Sequence, residues 1–560
     1  MFIKYLVPLS LLCIVSCDDK ATRSEGKSNI TETYQQQEAT ADKINHGNHY
    51  QQLDEYFNAL VEKQRILGSI GIYREGDQDY EKAFILEADK IVESSNNYRY
   101  KIGSISKTFT ATLVLQMIES GKLDLATKLS KFFPEIDKAE QITIQMLLNH
   151  HSGIFNYTDS PEFISYFQKP QTPQQMVQRI EQFDAIFEPG SKGEYSNSNY
   201  LLLGYILEMI SGKDYGDLID QKIAKPLGLE ATYLEEVSEA EKGEVLSYVQ
   251  NQGWQSIPQW DMSSVDAAGA LVSTTKDLNK FFSALFAGNL ISRESLDIML
   301  SEQDGFAHGI FKREVQVGDR KLIGYWHNGK IENYLSNMIY FPEEKLGIAY
   351  LSNGSSYDVG KINRALIKAA FGREVEIPDF KTLKLSIEEL KVYAGDYTSD
   401  THPLDISVMI KDDKLFAQAT GQNAFVLTPI EKDTFEFASA AIEMKFDPAN
   451  QQLVIKQGGR ADIFIEKSAK PKTPKLVVEA SILASYVGLY KADDFPLDIE
   501  VMLKDGDLFA QATGQSAFPL TPVSDSEFKF DLAGIIIKFD AEKNQLAITQ
   551  GGRTNIMSKD

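Results

Sequence analysis

The sequence predicts an α+β domain followed by two tandem antiparallel all-β modules, and three observations carry that expectation. From Tyr56 to about residue 375, helical and strand-like apolar periodicities are mixed. Beyond residue 385 the apolar period shortens to two, with short turns such as KDG and DPAN, the pattern of antiparallel β. That second region is also written twice. Residues 404–430 read LDISVMIKDDKLFAQATGQNAFVLTPI and residues 497–523 read LDIEVMLKDGDLFAQATGQSAFPLTPV; the same offset takes Gly421 onto Gly514, Tyr393 onto Tyr486 and Gly458 onto Gly551. Two copies are too few and too long for a solenoid, so each is read as a small barrel or sandwich.

In chain order, MFIKYLVPLSLLCIVSC (1–17) has one early lysine, a short apolar run and a small residue before Cys17. The run is too short to span a bilayer as a stable helix and reads as an export signal. Ile14-Val15-Ser16-Cys17 resembles a bacterial lipobox, which implies lipidation of Cys17, a lipoprotein anchored by its N-terminus, and a place in the cell envelope. The chain has two cysteines, Cys13 and Cys17, so no disulfide and no cysteine metal site is expected downstream. Residues 18–50 are polar and weakly patterned, a tether. Residues 51–380 form the first domain, 386–467 the first β module, 468–480 a proline-stiffened linker and 481–560 the second module. A net charge of −23 excludes nucleic acid as a partner, since phosphate binding needs a basic surface.

Within the first domain, FTATLVLQMIESGKL reads as a helix with Phe109, Leu113 and Met117 four apart and Gly121 at its stop. NYLLLGYILEMISGK (199–213) is a second helix ending on a glycine, and LGIAYLSNG (346–354) a buried strand. The chemistry-bearing stretch is IGSISKTFT (102–110). If Ser104 opens the helix, Lys107 at i+3 lies beside it while Ser106 points elsewhere. A serine hydroxyl needs an adjacent base, and a lysine amine serves once burial disfavours its charge. The helix start also offers the Ser104 N–H to a developing oxyanion. Alone S-x-x-K is weak, for it recurs at Ser24, Ser273 and Ser526. YSNSNY supplies a phenol, Tyr195, able to pass protons, and Asn197, able to hold the lysine or a substrate amide. In WHNGK, His327 would face a cleft while Gly329 lets a substrate approach the backbone.

Together, S-x-x-K, Y-x-N and H-x-G in this order resemble the serine β-lactamase and penicillin-binding-protein superfamily, nearest its class C-like branch (peptidase S12 type). KIGSISKTFTA, LLNHHSGI, PGSKGEYSNSNYLLLGYILE, KPLGL and GALVSTTKDL belong to the same resemblance, over roughly residues 51–375. It implies an antiparallel sheet flanked by helices plus a helical subdomain, with the active site between them. Position by position it implies Ser104 as the acylated nucleophile, Lys107 and Tyr195 sharing the proton transfers, and Asn197 orienting substrate and Lys107. It makes His327 and Gly329 substrate-binding, and makes the backbone N–H groups of Ser104 and Lys330 an oxyanion hole. His327 stands where β-lactamases of this branch carry lysine and related peptidases carry histidine. Lys330, Asn333 and Tyr334 depart from a small residue and from Gly-Phe, which bears on substrate scope. A catalytic domain with two trailing β modules resembles the D-aminopeptidase layout, and lipocalin-like barrels recur on related peptidases. The His150-His151 pair is implied to be structural, His46 and His49 fall in the tether, and neither a metal nor a cofactor is expected. The reading is an exported, lipid-anchored serine hydrolase cleaving an amide or ester of a small peptide, DD-peptidase- or D-aminopeptidase-like. The same residues would serve a short-chain esterase or a weak β-lactamase, and a catalytically idle peptide- or glycan-binding protein is the rival of another class.

Overall fold

The computed structural model describes residues 46–559 apart from 88, 95–96, 236–242, 251–252, 400–401, 403, 458–459, 468–477, 493–497, 505, 514–516, 531–534, 542 and 551–552. Cys17, the stretch expected to be an export signal (1–17) and most of the expected tether lie outside the described residues. The tether expected over 18–50 ends sooner, because helix α1 (His46–Glu62) begins inside it. Its buried Leu53, Tyr56, Phe57 and Leu60 form an i, i+3, i+4, i+7 face that draws the preceding turn into the helix. The chain divides into two compact units at Asp379/Phe380.

The first unit is built on a seven-stranded sheet. Its strands are β1 (Ile66–Arg74), β2 (Asp77–Glu87), β3 (Lys90–Ser94), β4 (Phe311–Val317), β5 (Arg320–Ile331), β6 (Tyr334–Phe341) and β7 (Leu346–Ser355). They lie in the order β3-β2-β1-β7-β6-β5-β4, each antiparallel to its neighbours. β7 is the strand expected over 346–354, and it is buried along all but its last residue. A strand covered on both faces reads as a continuous apolar run. α4 (Thr275–Phe286) packs on β1, β6 and β7, and α1 packs on α5 (Val359–Ala370).

Between β3 and β4 the chain forms the helical part, centred on α2 (Ser106–Glu119) and α3 (Asn197–Ser211), which pack together. The four-residue spacing of Phe109, Leu113 and Met117 predicts one apolar face, but α2 is buried around nearly its whole circumference, from Ser106 to Leu115. It is the central helix of the domain, with Phe109 stacked on Phe281 at 3.7 Å between ring centroids. Its threonines are therefore paired inward: Thr108 donates to Gly309 O, and Thr112 to Thr108 O. Gly121 and Gly212 both have positive φ, +69° and +67°, the left-handed conformation that stops each helix.

The second unit holds the duplicated modules. In the first, eight antiparallel strands between residues 395 and 466 close into a barrel, the last returning to the first with Tyr397 opposite Glu466. Inward positions carry Phe435, Met444, Phe446, Leu453 and Phe464, all buried, which fill the interior. In the second module the sheet has nine strands, and its two ends are halves of one segment, Phe518–Pro519 and Thr521–Pro522. The matching stretch of the first module is one strand, Phe425–Glu431. Pro519 stands where the first copy has Val426, and the two short strands part at Leu520, whose N–H still donates to Leu508 O at 2.8 Å.

Candidate active site

The nucleophile turn is held by strand Tyr100–Lys101, which pairs with Leu271–Ser273, and by the Ile102 N–H donating to Leu271 O at 2.9 Å. One 3₁₀ turn, Gly103–Ile105, precedes α2, so Ser104 lies just before the α-helix rather than as its first residue. The i+3 relation survives this shift. Lys107 Nζ is 3.0 Å from Ser104 Oγ, and Tyr195 OH donates to the same oxygen at 2.8 Å. Ser106 is fully buried and its Oγ accepts the Leu271 N–H at 3.2 Å, which removes it as a nucleophile.

Lys107 is wholly enclosed and, among the described residues, is paired with no carboxylate. Besides Ser104 it meets Asn197 Oδ1 and Ala268 O, each at 2.7 Å. Burial holds its pKa well below that of an ordinary lysine. A neutral amine has two N–H donors and one lone pair. Asn197 Oδ1 and Ala268 O can only accept, so they take the two donors, and the lone pair is left for the Ser104 hydroxyl. The amide orientation this needs is fixed by neighbours. Asn197 Nδ2 donates to Thr158 Oγ1 at 3.1 Å, and the Asn197 N–H donates to Asn156 Oδ1 at 3.0 Å.

Tyr195 is buried, and burial raises its phenol above the ordinary tyrosine range, with the Ser104 hydrogen bond opposing. It is a proton donor at neutral pH. Its ring stacks on His150 at 4.5 Å between centroids, and His150 Nδ1 accepts from the Ser196 N–H (3.1 Å). The structural role expected of His150 is thus to back the tyrosine. His151 lies to one side, with Nδ1 donating to Asn149 O and Nε2 facing Asp304.

On β5, His327 is buried at 2% exposure rather than open to a cleft, its ring 5.1 Å from Phe311. Burial first, and the nearby Lys107 second, push its pKa down to about 3, so it is neutral at pH 7 and offers no cation for a carboxylate. Its Nδ1–H donates to Asn328 O at 2.6 Å. Gly329 does not leave room for substrate at its α-carbon: a Cβ there would lie 2.0 Å from Ile102 O and 2.4 Å from Ser336 Oγ. The close approach is made by the nucleophile segment itself. A Cβ on Gly103, whose φ is +52°, would in turn lie 2.9 Å from the Lys330 nitrogen. The turn that leads into Ser104 is thereby packed against the backbone of Gly329 and Lys330, with Lys330 itself exposed. Asn333 and Tyr334 bind the chain rather than a ligand. Asn333 takes its N–H to Ser247 Oγ and its Nδ2 to Tyr248 O, and Tyr334 OH donates to Val245 O.

A family profile described as Beta-lactamase matches residues 53–371, more than half of the chain. The chain belongs to that family. It is a serine hydrolase of the β-lactamase and penicillin-binding-protein superfamily. It is similar to penicillin-binding protein 4* of Bacillus subtilis (strain 168), 25% identical over 440 residues that cover 72% of this chain and 94% of that one. Among solved structures it is similar to the D-amino acid amidase of Ochrobactrum anthropi SV3 complexed with L-phenylalanine, at 25% identity and a TM-score of 0.50, covering 57% of this chain and 98% of that one. The octameric penicillin-binding protein homologue of Pyrococcus abyssi shares the fold, with a TM-score of 0.53 at 24% identity over 74% of this chain and 99% of that one.

Three contributors to the site escape sequence reasoning: Asn156, Thr158 and the carbonyl of Ala268. The first two lie two and four residues after LLNHHSGI, and Ala268 directly precedes GALVSTTKDL. Both stretches carried the family resemblance, so the signal lay beside them.

Proposed function

We propose that this family member forms an acyl-enzyme at Ser104 and cleaves an amide or ester of a small peptide that carries a D-amino acid. The observation that carries the proposal is the Ser104 hydroxyl held between a buried amine, paired with no carboxylate among the described residues, and a buried phenol. Neutral Lys107 takes the hydroxyl proton as Ser104 Oγ attacks the carbonyl carbon. The acyl oxygen, gaining charge, is received by the N–H groups of Ser104 and Lys330. Tyr195, still protonated, hands a proton to the departing amine or alcohol and is reprotonated by the proton that Lys107 took from Ser104. Water then repeats the attack on the acyl-enzyme. A neutral His327 favours substrates bound through hydrogen bonds over those needing a fixed cation at that point, which sets β-lactams behind amides and esters.

Similarity to a D-amino acid amidase along nearly its whole length supports the peptide-type reading. A short-chain esterase using the same residues is the second reading. Lipidation at Cys17 and an envelope location rest on the lipobox-like 14–17 stretch. We read the two trailing barrels as accessory, lipocalin-like shells. A panel of D-amino-acid anilides, p-nitrophenyl esters and nitrocefin tests the proposal. Turnover of the anilides above the other two supports it, and Ser104→Ala must abolish every activity seen. Activity that survives Ser104→Ala would overturn it.

A further inference from the structure

A second buried lysine stands three residues before the nucleophile. Lys101, 3% exposed, lies 2.7 Å from Glu332 Oε1 and 3.3 Å from Glu235 Oε2, and both carboxylates are buried. The two ends of the Lys101–Glu332 pair belong to the two segments that carry the candidate oxyanion donors. Lys101 ends the strand that leads into Gly103-Ser104, while Glu332 follows Lys330 by two residues, in the turn from Ile331 to Tyr334. Glu332 holds φ +52°, a left-handed conformation that glutamate rarely adopts. A residue kept there needs something to hold it. Its Oε1 receives the Lys101 ammonium and also the Trp260 N–H, at 2.9 Å. Beside this pair, Ser336 Oγ donates to Ile102 O at 2.7 Å, and Gly329 admits the same carbonyl against β5. The seam between the two segments is thus fixed on one side by a hydrogen bond and close packing, and on the other by a buried ion pair.

We propose that Lys101 and Glu332 are positioning residues for acyl transfer: their ion pair sets the spacing of the Ser104 and Lys330 N–H groups. This rests on the acyl-enzyme reading above. Neither side chain touches the substrate. The pair acts through the backbone it joins, so its loss slows the step in which charge builds on the acyl oxygen and leaves ground-state binding alone. Glu235 completes the surroundings of Lys101. Burial is the leading cause that pushes its pKa up to about 7, opposed by Lys101 and aided by Glu244 and Glu332.

The test is Lys101→Met/Glu332→Gln in the full-length protein. Methionine replaces the lysine stem, glutamine still accepts from the Trp260 N–H, and Glu235 can keep its proton, so no unpaired charge stays buried. With a fluorophosphonate probe, the limiting labelling rate kinact should fall about tenfold while the probe's KI stays within twofold, measured below the variant's own melting temperature. Glu332→Gly, which suits the φ of the turn but removes the carboxylate, should show the same split and covers the case where the double variant fails to fold. A folded variant of either kind that labels at the wild-type kinact would overturn the proposal, as would a loss confined to KI. Labelling of the wild type that does not depend on Ser104 would instead remove the acyl-enzyme reading, and this inference with it.

Discussion

Lys101 and Lys107 flank the nucleophile turn, and both are buried, at 3% and 0% exposure. Their surroundings differ in one respect. Lys101 has two carboxylates within 3.3 Å. Lys107 has two carbonyl oxygens and a hydroxyl and, among the described residues, no carboxylate. Next to an acid, a buried ammonium is worth more as a tie between chain segments than as a base. Among neutral acceptors, burial disfavours the ammonium and leaves a lone pair for chemistry. Residue type and burial alone do not assign a role; the partner does.

The contrast is broken most sharply at Lys107. Lys107→Met should cut fluorophosphonate labelling by about 10³-fold or more, since the general base is lost, while urea unfolding loses only about 1–3 kcal/mol, the cost of two hydrogen bonds rather than of a broken charge pair. A large loss of stability in this variant would mean that Lys107 is a structural ammonium after all. The pH profile sharpens the same point. A lysine of ordinary pKa would make the labelling rate climb about tenfold per pH unit from 7 to 9. Burial lowers the pKa of Lys107, so the climb should be displaced to lower pH and be shallower than tenfold per unit between 7 and 9.

Lys101→Met should do the reverse. It strands Glu332 as a buried charge and should cost about 3–5 kcal/mol in urea unfolding; a cost below about 1 kcal/mol would show the pair to be energetically idle. Glu235 gives a smaller effect with a definite sign. Its pKa is raised from 4.5 to about 7, so between those values the folded protein holds a proton that the unfolded chain has lost. Stability should therefore fall as pH rises from 4.5 to 7, by no more than about 3 kcal/mol, and then level off. Glu235→Gln should remove that slope, and an unchanged slope would place the titration elsewhere. The smallest effect belongs to Ser106→Ala, which deprives the Leu271 N–H of its acceptor for about 1 kcal/mol and should leave labelling within twofold of wild type.

Much of this was legible in the sequence, and what was missed has a common cause. Local rules found the helix stops at Gly121 and Gly212, the buried strand at 346–354 and the duplication, because each depends on neighbours along the chain. They also chose Ser104 over Ser106, since i+3 spacing holds in a 3₁₀ turn as in a helix. The Ala268 carbonyl was invisible because any residue supplies a carbonyl. The Lys101–Glu332 pair was invisible because its partners are 231 residues apart, and the stretch that begins at Lys101 says nothing of Glu332. Gly329 was singled out as the place where a substrate would approach the backbone, and no local pattern showed that Ile102 O packs against its α-carbon. Asn333 and Tyr334 departed from the family pattern to tie down the 245–248 segment, a contact that no local pattern encodes. In the second β module, the parting of the strand at Leu520 was visible only against the intact strand of the first copy.

Intact-mass analysis of the full-length protein after fluorophosphonate treatment, with the adduct mapped by proteolysis, tests the account most directly. One adduct per chain on Ser104, lost in Ser104→Ala and slowed in Lys107→Met, is the expected result. An adduct on Ser106 or elsewhere, or labelling indifferent to Lys107, would contradict it.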